Sequence, residues 1–349
     1  MKPLVSFCLM CCNQERYIGD ALRGAFAQTY RPLQIVISDD ASTDRSWEIV
    51  VRAVAEYRRR PDAVEVVLSR NERNLGITGN WHKLCALAKG ELLVKADGDD
   101  VSLPERVERV VSAWEADGRR ATLVSSGGWL IGPRGGRLGP MPQASSRHAT
   151  GAAMAFSRVV ADAYGEPANP RIIDDETYVR RALMLGPELV VPDRLILYRL
   201  GTGCSNSLWR VRAPLVRARS DLLSALGQAR RDLECVRGRI GAESAAAWEH
   251  RLDEESDRCS AELELFTSPS FAVRRAAMRR LPPLRTLSVW GFLRFAFLMP
   301  RPVAAALLAP YVLCRHAVRL LRGRKLFFII PIDGGHGKMI KYSLHSKGY

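Results

Sequence analysis

The first 130 residues alternate short apolar runs with longer stretches of helical spacing, a rhythm met by parallel strands laid side by side with helices covering both faces. Leu4 to Cys12, Gln34 to Ser38, Val64 to Ser69, Glu91 to Ala96 and Ala121 to Ser125 are the expected strands. Between them Trp47, Val50, Val51 and Val54 recur at helical spacing, as do Val107, Val110, Val111 and Trp114. Pro104 suits the first turn of that second helix, where its missing N–H costs nothing. In an open sheet of this kind ligands lie beyond the carboxyl ends of the strands, so the residues just after each strand deserve the closest reading.

Three of those strand ends are polar and acidic: Asn13-Gln14-Glu15, Asp39-Asp40-Ala41-Ser42-Thr43-Asp44, and Asp97-Gly98-Asp99-Asp100. The second, taken alone, reads as helix capping by Ser, Thr and Asp. The third is harder to explain by folding, because three carboxylates within four residues repel by on the order of 1 kcal/mol per pair even in high dielectric. A divalent cation with a phosphate ligand relieves that repulsion, and Mg²⁺ or Mn²⁺ binds through one or two carboxylates plus substrate phosphates. Further on, residues 126 to 142 are rich in Gly and Pro and read as a hairpin or mobile loop. The chain then looks helical from Gly151, acidic at Asp174-Asp175-Glu176, and helical again in Glu176 to Leu185, for which Asp175 could be a simple cap. Residues 213 to 265 carry helical periodicity twice, in Leu222, Leu226, Ala229 and Leu233 and in Trp248, Leu252, Cys259, Leu263 and Phe266, with Gly238 and Gly241 between them.

These residues resemble the family 2 glycosyltransferases, GT-A enzymes that invert the anomeric centre of a nucleotide-diphospho-sugar donor. The resemblance runs from about residue 3 to 207 and rests on five stations in order: Val5 to Ile18, Val36 to Asp44, Asn74 to Glu91, Asp97-Gly98-Asp99-Asp100, and Asp174-Asp175 with Arg181 and Gly186. It implies an α/β, Rossmann-like, mostly parallel sheet flanked by helices, with a C-terminal helical, basic and amphipathic extension. It also implies that Asp40, with Asp39 beside it, meets the nucleotide base, and that Asn13, Glu15 and Asp97 line the donor. Asp99 touches the ribose or the metal, Asp99 and Asp100 form the Mg²⁺ or Mn²⁺ site on the diphosphate, and Asp175 is the catalytic base. Trp129, Asp174 and Arg199 fall on the acceptor side. Two departures stand out: Met10-Cys11-Cys12 replaces the usual polar and aromatic residues before Asn13, and Leu200-Gly201-Thr202-Gly203 follows Tyr198-Arg199 where many relatives carry a His. A single in-line displacement needs a base on the acceptor side and charge stabilisation on the leaving diphosphate, and no Ser or Cys nucleophile. His82 and Lys83 could turn to the diphosphate, although a solvated helix face accounts for them more simply.

The net charge of +15 is not spread evenly. No acidic residue lies between Glu264 and Asp333, and that stretch holds twelve Lys and Arg, so the rest of the chain is nearly neutral. Arginines there alternate with the apolar stretches Trp290 to Leu298 and Val303 to Cys314, and the charge-free run from 302 to 314 is shorter than the ~20 residues of a spanning helix. This favours a peripheral contact with an anionic membrane surface, worth ~1 kcal/mol per basic residue, over nucleic-acid binding. Eight cysteines at unpaired spacings read as reduced, the N-terminus lacks a small-residue cleavage site, and the expected location is the cytoplasmic face of the membrane. The expected organisation is a catalytic domain over 1–210, a helical hairpin over 211–266, a basic membrane-associating segment over 267–325, and a tail over 326–349. The expected partners are a nucleotide-diphospho-sugar donor and a glycan or lipid-linked acceptor. The alternatives are a sugar nucleotidyltransferase, for which no Gly-rich, Lys-containing phosphate loop is found near the N-terminus, and a non-catalytic scaffold or nucleic-acid-binding protein using the basic C-terminal segment, which donor-dependent nucleoside diphosphate release would separate from the transferase.

Overall fold

The apolar runs fold as expected into strands, with four additions. In chain order the strands are β1 (Val5–Cys11), β2 (Leu33–Asp39), β3 (Glu65–Arg70), β4 (Leu92–Asp97), β5 (Val101–Ser102), β6 (Leu123–Ile131), β7 (Arg137–Pro140), β8 (Met154–Ser157) and β9 (Glu188–Arg199). The helices among them are α1 (Ile18–Phe26), α2 (Ser46–Tyr57), α3 (Ile77–Leu87), α4 (Arg106–Ala116), α5 (Arg158–Ala163) and α6 (Asp174–Leu185). They belong to a computed structural model that describes residues 1–144, 150–169, 174–201 and 212–281. The strands form one sheet in the order β3-β2-β1-β4-β8-β6-β9-β5, with β7 on β6. β3, β2, β1 and β4 run parallel, β8 is antiparallel to both neighbours, and β9 returns parallel to β6.

Every residue of β1 and β2 is buried, which explains why these strands read as continuous apolar runs: a parallel strand covered on both faces has no solvent side. The main core packs Phe7, Leu9, Ile35, Ile37, Leu92 and Val94 of the sheet against Leu22, Val50, Val54, Val107 and Trp114 of the helices. In α2 the buried face is Val50, Val54 and Tyr57, while Val51 is exposed, so only part of the apolar set expected there faces the core. Pro104 precedes α4, whose N-cap is Glu105, instead of occupying its first turn. The stretch from Gly151 is not a continuous helix: a 3-10 turn (Gly151–Ala153) leads into β8, and only then does α5 begin. Its four strand residues are inserted between the parallel half of the sheet and β6, and tertiary pairing overrides the local helical appearance. Cys8 and Cys11 lie on one extended strand three residues apart and so point to opposite faces, which rules out a shared CxxC chelate.

Two long helices follow, α7 (Arg212–Ile240) and α8 (Ala242–Thr267), joined at Gly241, whose φ of +80° is a conformation that glycine adopts without cost. The chain divides into two compact units, one made of residues 1–207 and 220–256, the other of 208–219 and 257–349. In the first, Arg181 of α6 makes a buried, bidentate ion pair with Asp232 of α7, at 2.8 and 2.9 Å, and its guanidinium stacks on Tyr164 and Tyr178. In the second, α9 (Phe271–Arg280) starts at an N-cap Ser270, and Arg280 bridges back to Asp257 and Glu264 of α8. The rest of the basic segment and the tail, residues 282–349, lie outside the described residues. Among those described, no helix is long and apolar enough to cross a membrane.

Candidate active site

Parallel register brings the acidic strand ends into one row. Asp39 at the end of β2 stands opposite Cys11 at the end of β1, Met10 of β1 stands opposite Asp97 of β4, and Arg70 of β3 stands opposite Asp39. This is the carboxyl edge, where an open α/β sheet presents its ligand crevice.

At the β1 and β2 ends the polar groups bind each other. Asn13 sits at φ 51° and its Oδ1 accepts from Thr43 N at 2.8 Å, while its own N–H reaches Ser42 Oγ. Glu15 Oε2 accepts from Arg45 N, and Asp44 Oδ2 accepts from Glu15 N. Asp40 is buried, and its carboxylate accepts three bonds from one loop: Asn71 Nδ2 at 2.7 Å, Leu75 N at 2.8 Å and Gly76 N at 3.0 Å. Asp39 is fully buried, holds Ser42 N on Oδ1, and lies 3.5 Å from Arg70 Nε, while its Oδ2 has no hydrogen-bond partner. Lys83 reaches into the same network through Asn71 Oδ1 at 2.7 Å, and His82 meets the Tyr178 hydroxyl at 3.2 Å, so neither is a solvated surface group. The arrangement is a prebuilt socket, in which Asn13, Glu15 and Asp40 organise the loops.

At the β4 end the situation is electrostatic. Gly98 is pressed against β1: a Cβ there would stand 2.9 Å from Met10 O and would also strike Gln14 Oε1, so only glycine lets the turn close. Asp99 and Asp100 are nearly buried. Asp100 Oδ1 accepts from Arg199 N at 2.7 Å. Burial, then the charges of Asp99 and Asp97, pushes the Asp100 carboxyl well above the usual range. Burial and the charges of Asp100, Asp97, Asp99 and Asp175 likewise hold the Tyr198 phenol protonated. From beneath, fully buried Arg106 of α4 donates to Ser102 Oγ and to Lys95 O, and burial lowers it to about 10. Lys95 Nζ lies 2.8 Å from Asp97 Oδ1. Asp174 opens α6 and Asp175 follows it in the first turn, where the helix dipole favours a carboxylate.

Arg199 is spent inside the fold: Nε donates to Asp99 O, Nη2 to Asp20, Nη1 to Pro133 O, and the guanidinium covers the Tyr17 ring. Trp129 on β6 has Arg137 at 4.3 Å and Arg194 at 4.8 Å from its ring centre. Lys95, Arg106 and Tyr198 were not evident as site residues from the sequence. A lysine inside an otherwise buried strand, two residues before an acid, is the signal that could have found Lys95.

The crowding by Asp99 and Asp97 that raises the Asp100 carboxyl fits a divalent cation at this turn. Among the described residues no three metal-ligating side chains form a ready-made cage.

Residues 6–154 match the family described as Glycosyl transferase family 2. EpsE of Bacillus subtilis is 29% identical over 141 residues, 40% of this chain and 49% of that protein. An uncharacterized glycosyltransferase of Methanocaldococcus jannaschii is 28% identical over 138 residues, 39% of this chain and 46% of that one. The chain thus spans about half the length of these relatives. Among solved structures, the mannosyltransferase PcManGT of Pyrobaculum calidifontis, in complex with GDP-Man and Mn²⁺, superposes over 93% of this chain and 88% of its own at 17% identity, with a TM-score of 0.48.

Proposed function

We propose that this chain, whose residues 6–154 belong to the family 2 glycosyltransferases, moves a sugar from a nucleotide-diphosphate donor to a hydroxyl of a glycan or lipid-linked glycan, with inversion, in cell-surface polysaccharide synthesis. The observation that supports the reading is the placement of Asp97, Asp99 and Asp100 at the carboxyl end of β4, with Lys95 Nζ 2.8 Å from Asp97 Oδ1 and, against Gly151, beside Asp175 Oδ1. The socket built on Asp39 and Asp40 takes the nucleoside. Asp99 and Asp100 would hold Mg²⁺ or Mn²⁺, which would supply charge neutralisation to the leaving diphosphate. Asp175 accepts the proton of the acceptor hydroxyl as that oxygen attacks the anomeric carbon opposite the diphosphate. The C1–O bond to the diphosphate breaks as the new glycosidic bond forms, so no covalent enzyme intermediate is needed.

The basic segment supplies a peripheral contact with the cytoplasmic face of an anionic membrane. At its described beginning, α9 leaves Phe271 52% and Val273 41% exposed on a helix that also carries Arg275 and Arg279. A panel of UDP-, GDP- and dTDP-sugars with Mn²⁺, read by nucleoside diphosphate release and by thermal shift, tests the activity. A ligand at 100 times its Kd stabilises by ~2.7 kcal/mol. No stabilisation and no turnover with any donor would defeat the reading.

A further inference from the structure

We propose that Lys95 is a positioning residue: its buried ammonium is shared by Asp97 and Asp175 and fixes the base relative to the donor acids. The inference rests on the reading of Asp175 as the base. Lys95 lies on β4, paired on one side with β1 and close to β8 on the other, and its side chain is only 2% exposed. Its carbonyl is clamped by Arg106 Nη2 at 2.8 Å. Its Nζ pairs with Asp97 Oδ1 at 2.8 Å, on the residue that opens the acid turn. The contact with Asp175 is marked by Gly151. A Cβ on that residue would overlap both Asp175 Oδ1 and Lys95 Nζ, so the carboxylate and the ammonium sit side by side against the glycine backbone.

A desolvated ammonium is tolerated only beside compensating charge. The two carboxylates that supply it here come from different parts of the reaction: Asp97 from the strand end that bears the donor acids, Asp175 from the first turn of α6. One cation therefore joins the element that holds the donor to the element that holds the base. Gly151 keeps the space between them closed without a side chain.

Removing one partner of a buried ion pair leaves the other charge uncompensated and costs stability whatever the pair's role, so the split between kcat and donor affinity separates a positioning role from a purely structural one. The test uses the full chain, Mn²⁺ and the nucleotide sugar selected by the panel above, with turnover followed by nucleoside diphosphate release and donor affinity by calorimetry. Lys95→Met is expected to lower kcat by about 10- to 100-fold, the scale of a 1 Å misplacement, with donor Kd changed less than about threefold. Gly151→Ala keeps both charges and drives a methyl between them, so it is expected to lower kcat in the same way, and it carries the test if Lys95→Met does not fold. If Lys95 acts through Asp175, adding Lys95→Met to Asp175→Asn brings no further loss in kcat. Wild-type kcat in both single variants, donor affinity falling in step with kcat, or the full Lys95→Met factor recurring in the Asp175→Asn background would each overturn the inference. Wild-type turnover in Asp175→Asn would instead overturn the assignment of the base itself.

Discussion

The ends of β1 and β2 and the end of β4 sit on the same edge of one sheet, yet they are finished differently. At the first, Asn13, Glu15, Asp40 and Asp44 have their oxygens occupied by backbone and side-chain donors of neighbouring loops. At the second, Asp97, Asp99 and Asp100 follow one another at the end of β4, burial and the charges of Asp99 and Asp97 raise Asp100, and Lys95 pairs with Asp97. In the hydrogen-bonded region Glu15, Asp40 and Asp44 hold shape, while buried Asp39 Oδ2 has no hydrogen-bond partner among the described residues. The charged region crowds its acids together, and these are the ones proposed to hold chemistry. An acidic residue in a strand-end motif can therefore serve either purpose, and the number of donors already pointing at it tells which.

Four substitutions test that contrast. The largest effect is expected from Asp175→Asn, which removes the proton acceptor: kcat should drop ~10²–10⁴-fold while donor affinity, measured by calorimetry, stays near wild type. Asp100→Asn comes next. It should abolish the Mn²⁺-dependent part of donor affinity, a loss of more than about tenfold (1.4 kcal/mol). It should also leave the metal-free melting temperature equal or higher, because one charge leaves a crowded site. An unchanged Mn²⁺ dependence would remove Asp100 from the metal site.

Asp40→Ala should behave in the opposite sense. Three donors lose their acceptor, so the fold itself should weaken by ~1–3 kcal/mol, seen as a lower midpoint in urea without any ligand. If Asp40→Ala melted like wild type and lost only donor affinity, the socket would not be self-sufficient. The smallest effect concerns His82. Burial and the charge of Arg181 hold its imidazole below the ordinary 6.5, with Glu166 opposing and Tyr178 as its hydrogen-bond neighbour. A depressed histidine favours the fold above its unfolded pKa and loses that contribution as pH falls through the folded value. His82→Gln should therefore flatten the acid-side slope of Tm against pH below about 6.5, and an unchanged slope would show that His82 is not held neutral by the fold.

The parallel half of the sheet was legible because burial on both faces writes β1, β2 and β4 as apolar runs, β2 and β4 ending in Asp39 and Asp97 and β1 running into Cys12-Asn13-Gln14-Glu15. The mixed half was not. β8 has four residues between helical stretches, and β9 contains Pro192, Asp193 and Arg194, which break its pattern in the middle. Site residues followed the same division. The acids of the strand ends could be read from spacing and resemblance, but Lys95 and Arg106 act from within the core, where a sequence shows residue type and not direction. Arg199 was expected on the acceptor side and Tyr198 was visible only beside a departure from the family pattern, since the hold of Arg199 N on Asp100 spans about a hundred residues of chain.

Arg199 carries one more consequence, for the order in which the molecule can be made. Its backbone N–H holds Asp100, and its guanidinium gathers Asp20, the carbonyl of Asp99 and that of Pro133, segments separated from it by as many as 179 positions. Contacts of such long range are the last to repay the entropy of closing their loops. A nascent chain emerging from the ribosome can assemble β1 to β4 early, but its acid turn stays unlatched until the end of β9 has been synthesised and has paired with β6. The latch on Asp99 and Asp100 is thereby postponed until nearly two hundred residues have emerged, because Arg199 must be present to make it.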